Sequence, residues 1–449
     1  VSTDHEDPPS GGTQEDWVLT AFVNAFKTPD LRKKLLFTLF IIALFRVGSV
    51  LPTPGVDAAA VRRCLNPALS GGGNQIYGML NLFSGGALLQ LSVFALTIMP
   101  YITASIIIQL LTVVIPRLES LKKEGHSGTQ KITQYTRYLT IGLAILQSTT
   151  IVALARSGRM FQGCNETIIP NDNILTLVTM VLTMTAGTGV IMWFGELITD
   201  RGVGNGMSVL IFVSIAAGFP TALWGIRQQK GWVTFLAVIA IGLVIMGAVI
   251  YVEQAQRRIP VQYAKRMLGR RAYGGSSTYI PLKVNQAGVI PVIFASSLLY
   301  VPVLAAQFNP NAPWAQWITT NISRGDHPAY MLGFFLLIVA FTYFYVGITF
   351  NPNEVADNMK KHGGFIPGIR AGKPTEDYLQ YVLSRITAPG SLYLGVLALI
   401  PLIAFALIGA NQNFPFGGTS ILIVVGVGLD TVKQIESQLQ QRHYEGFLR

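Results

Sequence analysis

The chain has 449 residues, of which 51% are hydrophobic and 12% charged, with a mean hydropathy of +0.46. That balance excludes a string of soluble domains and points to an all-α polytopic membrane protein, since backbone inside lipid satisfies itself through helices. The net charge of +11 raises nucleic-acid binding, but its distribution along the chain reads as membrane topology and gives no direct nucleic-acid function.

The N-terminal VSTDHEDPPSGGTQEDW is acidic and polar, so it reads as a disordered tail rather than a cleavable signal peptide. It is followed by VLTAFVNAFKTPDLRKK, where an amphipathic basic helix leads into the membrane; tail and helix together span 1–31. Because the chain opens on Val rather than Met, the stretch before Val18 is open to being a start-site artefact.

Ten apolar stretches follow, near 35–51, 91–115, 138–154, 174–195, 207–226, 232–252, 287–306, 329–349, 391–410 and 417–432. A helix crossing the hydrocarbon needs roughly 17 to 25 mostly apolar residues. The last stretch passes without a breaker into TVKQIESQLQQ and is expected to continue as helix into water, leaving 433–449 as a tail. The spans divide into an N-terminal half, 32–228, and a C-terminal half, 229–432, joined by a short turn near Arg227 to Lys230. Five is odd, so any duplication between the halves is of inverted topology.

With the N-terminus inside, 25 of the 33 Lys and Arg residues fall on inside segments, 7 on outside loops, and Arg46 lies within the first span. This positive-inside bias places both termini in the cytoplasm. Two long inside loops stand out: 253–285 with Arg257, Arg258, Lys265, Arg266, Arg270, Arg271 and Lys283, and 351–385 with Lys360, Lys361, Arg370, Lys373 and Arg385. They serve either as orientation signals touching anionic lipid or as a docking surface for a cytoplasmic partner. Their length, beyond what packed helices need, favours the second.

Between the first two spans, NQIYGMLNLFSGGALLQLSVFALTIMPY is apolar yet broken by Ser84, Gly85 and Gly86. It is either a surface re-entrant turn or a short mobile element inside a cavity, since irregular backbone at membrane depth persists only where protein or a water-filled cavity surrounds it. Cys64 and Cys164 fall in outside loops at a spacing that supports no particular pairing, and two unpaired thiols are expected.

Missing chemistry narrows the function further. The histidines, His5, His126, His327, His362 and His443, all sit in tails or loops, which removes an intramembrane Ser/His protease. The carboxylates Glu196, Asp200, Glu253 and Asp430 lie at span ends, whereas a proton-coupled carrier keeps an ionisable group inside the bundle. GVGNG at 202–206 reads as a tight turn, and Gly372–Lys373 lacks the preceding glycine of a phosphate loop. No enzyme, metal or cofactor is expected, and energy must come from a partner. A passive pore driven from the cytoplasm fits; a secondary transporter of a small solute is the alternative, and an ionisable group at mid-membrane would favour it.

Long strings in the sequence resemble the bacterial members of the SecY/Sec61-alpha family of protein-conducting channel subunits, from about Leu31 to Glu436. They are NLFSGGALLQLSVFALTIMPYITASIIIQLLTVVIPRLE from Asn81, KEGHSGTQKITQYTRYLT from Lys123, GELITDRGVGNGMS from Gly195, QRRIPVQYAKR from Gln256, PLKVNQAGVIPVIFASSLL from Pro281, FNPNEVADNMKKHGGFIPGIRAGKPT from Phe350 and FGGTSILIVV from Phe416.

The resemblance implies a clam-shell of two five-helix halves around an hourglass pore in the bacterial plasma membrane. It implies passage of unfolded secretory polypeptides and sideways release of membrane segments into lipid. By it, Tyr77 to Leu88 is the plug, including Leu82, Phe83, Ser84, Gly85 and Gly86. Ile98, Ile102, Met207, Ile211, Ile290 and Ile423 form the constricting ring, which Met207 softens because it is unbranched. Gln109 and Asn285 stand near a lateral gate between the second and third spans and the seventh and eighth. Arg257, Arg258, Lys265, Arg266 and Arg370 face the motor and ribosome; Ala371 replaces a usual proline, which puts the local turn in question. Implied partners are the small subunits SecE and SecG, the ATPase SecA, the ribosome, signal peptides and lipid.

Overall fold

The computed structural model describes residues 28–61, 63–64, 84–158, 166–170, 172–263, 266–268, 271–273, 277–308, 312–322, 327–408 and 418–446. The tail, most of the leading helix, and Tyr77, Leu82, Phe83, Cys164, Lys265 and Arg270 lie outside these residues.

Helix α1 (Pro29–Val50) starts with Pro at its first turn, where the missing N–H is harmless, and buries Leu31, Thr38, Ile41, Phe45 and Gly48 along one face. Phe45 stacks on Phe94, ring centroids 5.9 Å apart. Helix α2 (Met99–Val114) begins eight residues later than the apolar run at 91 allows. Positive φ at Leu91 and Thr97 breaks the preceding segment into turns, which pack against Ala144, Ile151, Met180 and Met184. Pro116 then ends α2, and the amphipathic α3 (Pro116–Lys123) leaves at 105°.

Helices α4 (His126–Arg156) and α5 (Ile174–Arg201) pack side by side. Helix α6 (Gly206–Gln254) is two helices across a break at Gly231, whose φ of 81° and ψ of −176° no helical residue adopts. Here the fifth and sixth expected spans meet. After the second part of α6 the chain continues with α7 (Ile290–Phe308), the short α8 (Pro313–Asn321), α9 (Pro328–Thr349), α10 (Pro352–Lys361), α11 (Lys373–Ile408) and α12 (Gly418–Gly446). α12 continues as helix well past its apolar run, as expected.

The chain is thus mainly helical. Among the described residues five helices are long and apolar enough to cross a membrane, six if α2 and α3 count as one bent span. The N-terminal half holds two cores, one with Leu91, Ala144, Ile151, Met180 and Met184 and one with Ile41, Phe45, Phe94, Ile191 and Phe194, and the C-terminal half holds one with Val292, Tyr330, Phe334, Leu394 and Ile421. A smaller cluster of Ile215, Ile293 and Ile423 bridges them, where α6 lies against α12.

The 253–285 loop holds structure that hydropathy does not reveal. β1 (Gln256–Tyr263) pairs antiparallel with β4 (Ser277–Lys283) and with β5 (Gly364–Phe365), while β2 (Arg266–Leu268) and β3 (Arg271–Tyr273) form a second ladder. Ile259 and Val261 alternate inward onto Leu282, Met359, Ile366 and Leu379, so both basic loops share one small core. Cys64 corrects the expectation of unpaired thiols: it is fully buried and disulfide-bonded. Its surroundings hold it there, with Asp57 N–H bonded to the Ile168 carbonyl at 3.0 Å and Arg63 paired with Glu166 at 3.2 Å.

Candidate functional site

A cavity of about 760 Å³ opens between the two groups of helices. Its walls change character along α12 and the start of α6. On α12 the lining runs from Ile423 through Gly426 and Val427 to Asp430 and Lys433, ten residues or about 15 Å at 1.5 Å per residue. At the start of α6 it runs from the capping Asn205 to Met207, Ser208 and Ile211. One end is therefore a polar mouth beside the basic loops, and the other an aliphatic floor.

Five of the six residues expected to form a ring, Ile102, Met207, Ile211, Ile290 and Ile423, line this cavity from α2, α6, α7 and α12. Ile98 does not; it is buried at 4% exposure among Phe94, Ile191 and Phe194, with Ile102, Met207 and Ile211 packed against that cluster. Ile293 lines the cavity one turn beyond Ile290, and Ile215 packs one turn beyond Ile211. Sequence reasoning passed over both, although the i, i+3 and i, i+4 repeats mark them as sharing those helix faces.

The mouth is held by polar pairs. Arg137 on α4 meets Glu196 on α5 in a two-pronged ion pair at 2.8 and 2.9 Å. Lys283 approaches Asp430 at 3.4 Å. Asn285, 4% exposed, donates from Nδ2 to Glu253 Oε1 at 2.6 Å and to the Gly288 carbonyl at 3.2 Å, tying the end of α6 to the start of α7. These pairs join residues up to 147 positions apart, which no spacing pattern announces.

Asn205 caps α6, its Oδ1 accepting from the Met207 and Ser208 amides at 3.1 and 3.4 Å. The start of α6 presses on α5: a Cβ at Gly206 would overlap the Gly195 carbonyl, whereas one at Gly195 would overlap the Met207 side chain. Backbone cannot yield as a flexible thioether can. Gly206→Ala is expected to destabilise the protein by about 1 to 3 kcal/mol and Gly195→Ala by clearly less. Thermal unfolding in mild detergent reads the order, and a larger loss for Gly195→Ala would refute it.

Gln109 and Asn285 both line the cavity. Gln109 also borders an apolar crevice where Ile106 and Leu110 of α2 face Ile290 and Phe294 of α7 and Phe341, Phe344 and Tyr345 of α9. This seam shares Ile106, Gln109, Ile290 and Tyr345 with the cavity wall and includes the exposed Phe344. Of the segment expected to be the plug, the described part begins at Ser84, whose Oγ accepts from the Leu88 amide at 3.1 Å. Gly85 and Gly86 have φ of 60° and 94°, and Leu88 is buried.

Arg257 and Arg258 lie on exposed positions of β1, Arg258 over the Tyr279 ring at 4.9 Å, and Arg266 lies on β2. Arg370 projects from a turn whose positive-φ positions are Gly368 and Gly372, so Ala371 occupies it without strain; the Arg370 carbonyl accepts from Thr375 Oγ1 at 2.9 Å. Among the described residues no three His, Cys, Asp or Glu side chains group as metal ligands.

A model of the SecY family matches residues 92–432. The protein translocase subunit SecY of Streptomyces scabiei is 68% identical over 439 residues, covering 96% of this chain and all of that protein. The subunit of Mycobacterium tuberculosis is 61% identical over 442 residues with the same coverage. Among solved structures, one described as a protein conducting channel superposes with a TM-score of 0.61 at 18% identity, covering 90% of this chain and 91% of that one. Sec61 in a canine ribosome–channel complex gives 0.56 at 16% identity, with the same coverage.

Proposed function

The chain belongs to the SecY family, and on that premise we propose how it works. It is the channel subunit of a protein translocase, a multi-pass membrane protein that acts within a complex of partner subunits. The observation that carries the mechanism is the cavity, with a charged mouth, an aliphatic floor and an apolar seam in its side wall.

Ten spans in two inverted halves, 32–228 and 229–432, enclose that path. Both termini face the cytoplasm at the bacterial plasma membrane, as the charge distribution supports. Ile102, Met207, Ile211, Ile290 and Ile423, with Ile98 packed behind them, make the seal. Branched aliphatics offer a passing polypeptide no hydrogen bond or charge to hold it, and they exclude water and ions by dewetting. The Gln109 seam is the lateral gate. A signal peptide's apolar core of roughly 7 to 15 residues gains about 0.8 kcal/mol per CH₂ group that leaves water for lipid, so partition through the seam selects the substrate. SecE and SecG are the small membrane subunits, and SecA and the ribosome dock on the two basic loops. The chain has no catalytic step of its own.

Reconstitution tests this. Vesicles holding the chain with its small subunits are expected to import an unfolded secretory polypeptide when the motor ATPase and ATP are added. Equal import from vesicles without the chain would overturn the proposal. The plug carries a separate expectation: deleting Tyr77 to Leu88 yields a folded channel with raised resting conductance. Unchanged conductance in planar bilayers would count against that role.

A further inference from the structure

Arg227 lies where α6 breaks, between the two halves. Its guanidinium carbon sits 4.4 Å from the Trp224 ring centroid and 4.2 Å from that of Trp232, so both indole rings lie within cation–π reach of it. Both tryptophans are themselves more than half exposed, at 54% and 58%. Among the described residues the Arg227 side chain makes no hydrogen bond or ion pair.

Cation–π contacts consume none of the five guanidinium N–H donors, which stay available for another group. Those donors form the fork that matches a phosphate with two parallel bonds. The surroundings indicate what carries the phosphate. From Trp232, the stripe Leu236 and Leu243 runs down one helix face at 60% and 61% exposure, with Val233 beside it at 84%. That surface suits acyl chains.

We propose that Trp224, Arg227 and Trp232 form a binding site for the headgroup phosphate of an anionic phospholipid, with the lipid's chains along Leu236 and Leu243. The proposal rests on the membrane-spanning reading above, since it places this turn at the bilayer surface. A bound lipid there would span the junction of the two halves.

The test uses the full-length chain in lipid nanodiscs, with Trp17, Trp193, Trp314 and Trp317 replaced by Phe so that only the two site tryptophans fluoresce. Brominated phosphatidylglycerol, diluted into phosphatidylcholine, is expected to quench them about fivefold more efficiently than brominated phosphatidylcholine at the same fraction, as a two-pronged charged contact requires. Arg227→Gln should bring the two lipids level, and Arg227→Lys should keep only part of the preference because it lacks the planar fork. Free inorganic phosphate at millimolar concentration should leave the preference intact. Equal quenching in the parent protein, or an unchanged preference in Arg227→Gln, overturns the site, and loss of preference on adding phosphate shows that the fork takes free phosphate instead. Import assays on the same variants separate this from the channel proposal: a lost lipid preference with retained import supports the site, whereas absent import in the parent strikes the channel reading alone.

Discussion

Arg370→Glu is expected to abolish ATP-driven export while the protein still inserts in the membrane and purifies normally. Arg370 is exposed on a turn fixed by Gly368, Gly372 and the Thr375 hydroxyl bond, and among the described residues it has no carboxylate partner. Nothing in the fold depends on its charge. The loop that carries it is nonetheless rigid, because β5 pairs with β1 and Ile366 and Met359 are buried in the shared core. An unpaired guanidinium held on a firm base suits a central contact for a partner. Reversing such a contact costs about 2 to 4 kcal/mol, a thirtyfold to several-hundredfold loss before repulsion is added. Normal ATP-dependent import by vesicles carrying the variant would sink the docking assignment, and failure of the protein to accumulate would show that the charge is structural.

The same loops mark the boundary of what the sequence made legible. The membrane helices were readable because a long apolar run has one stable form in lipid, and α5, α7, α9 and α12 begin within a few residues of expectation. The start of α2 was not, since the turns before it depend on Leu91 and Thr97 at positive φ, and neither residue type signals that conformation. The strands were partly readable: Ile259, Val261 and Tyr263 alternate with Pro260 and Gln262, a period of two that high charge on either side obscured.

The site divides in the same way. Aliphatic ring positions came from resemblance in sequence, and the fold brought five of the six to one cavity. Ile98, the residue that precedes the first turn of α2, lies in the packed layer behind with Phe94 and Phe194. The Arg137–Glu196 and Asn285–Glu253 pairs emerge only when distant helices meet, and the Cys64 disulfide depends on loop placement that spacing alone did not give.

Replacing Ile102 and Ile290 together by Ser is expected to raise resting ion conductance by more than the sum of the two single changes. The residues stand on α2 and α7, so they come from opposite halves, and both line the floor of the cavity. Each is only partly buried, unlike Ile98 and Ile423 at 4% and 2%, so trimming it removes a cavity wall more than core packing. A single Ser leaves the facing wall apolar, and a narrow passage with one dry wall still resists wetting. Two hydroxyls on facing walls offer a water column partners on both sides, and the dewetting barrier falls with both. Since conductance depends exponentially on that barrier, about 1.4 kcal/mol lost at each wall gives tenfold per site and roughly a hundredfold together. Thermal unfolding should shift little, whereas Ile423→Ser, which empties a packed position between the halves, should lower stability by about 2 kcal/mol or more. The measurement is single-channel current without substrate. Background currents in the singles and the double alike would show that these isoleucines do not form the seal.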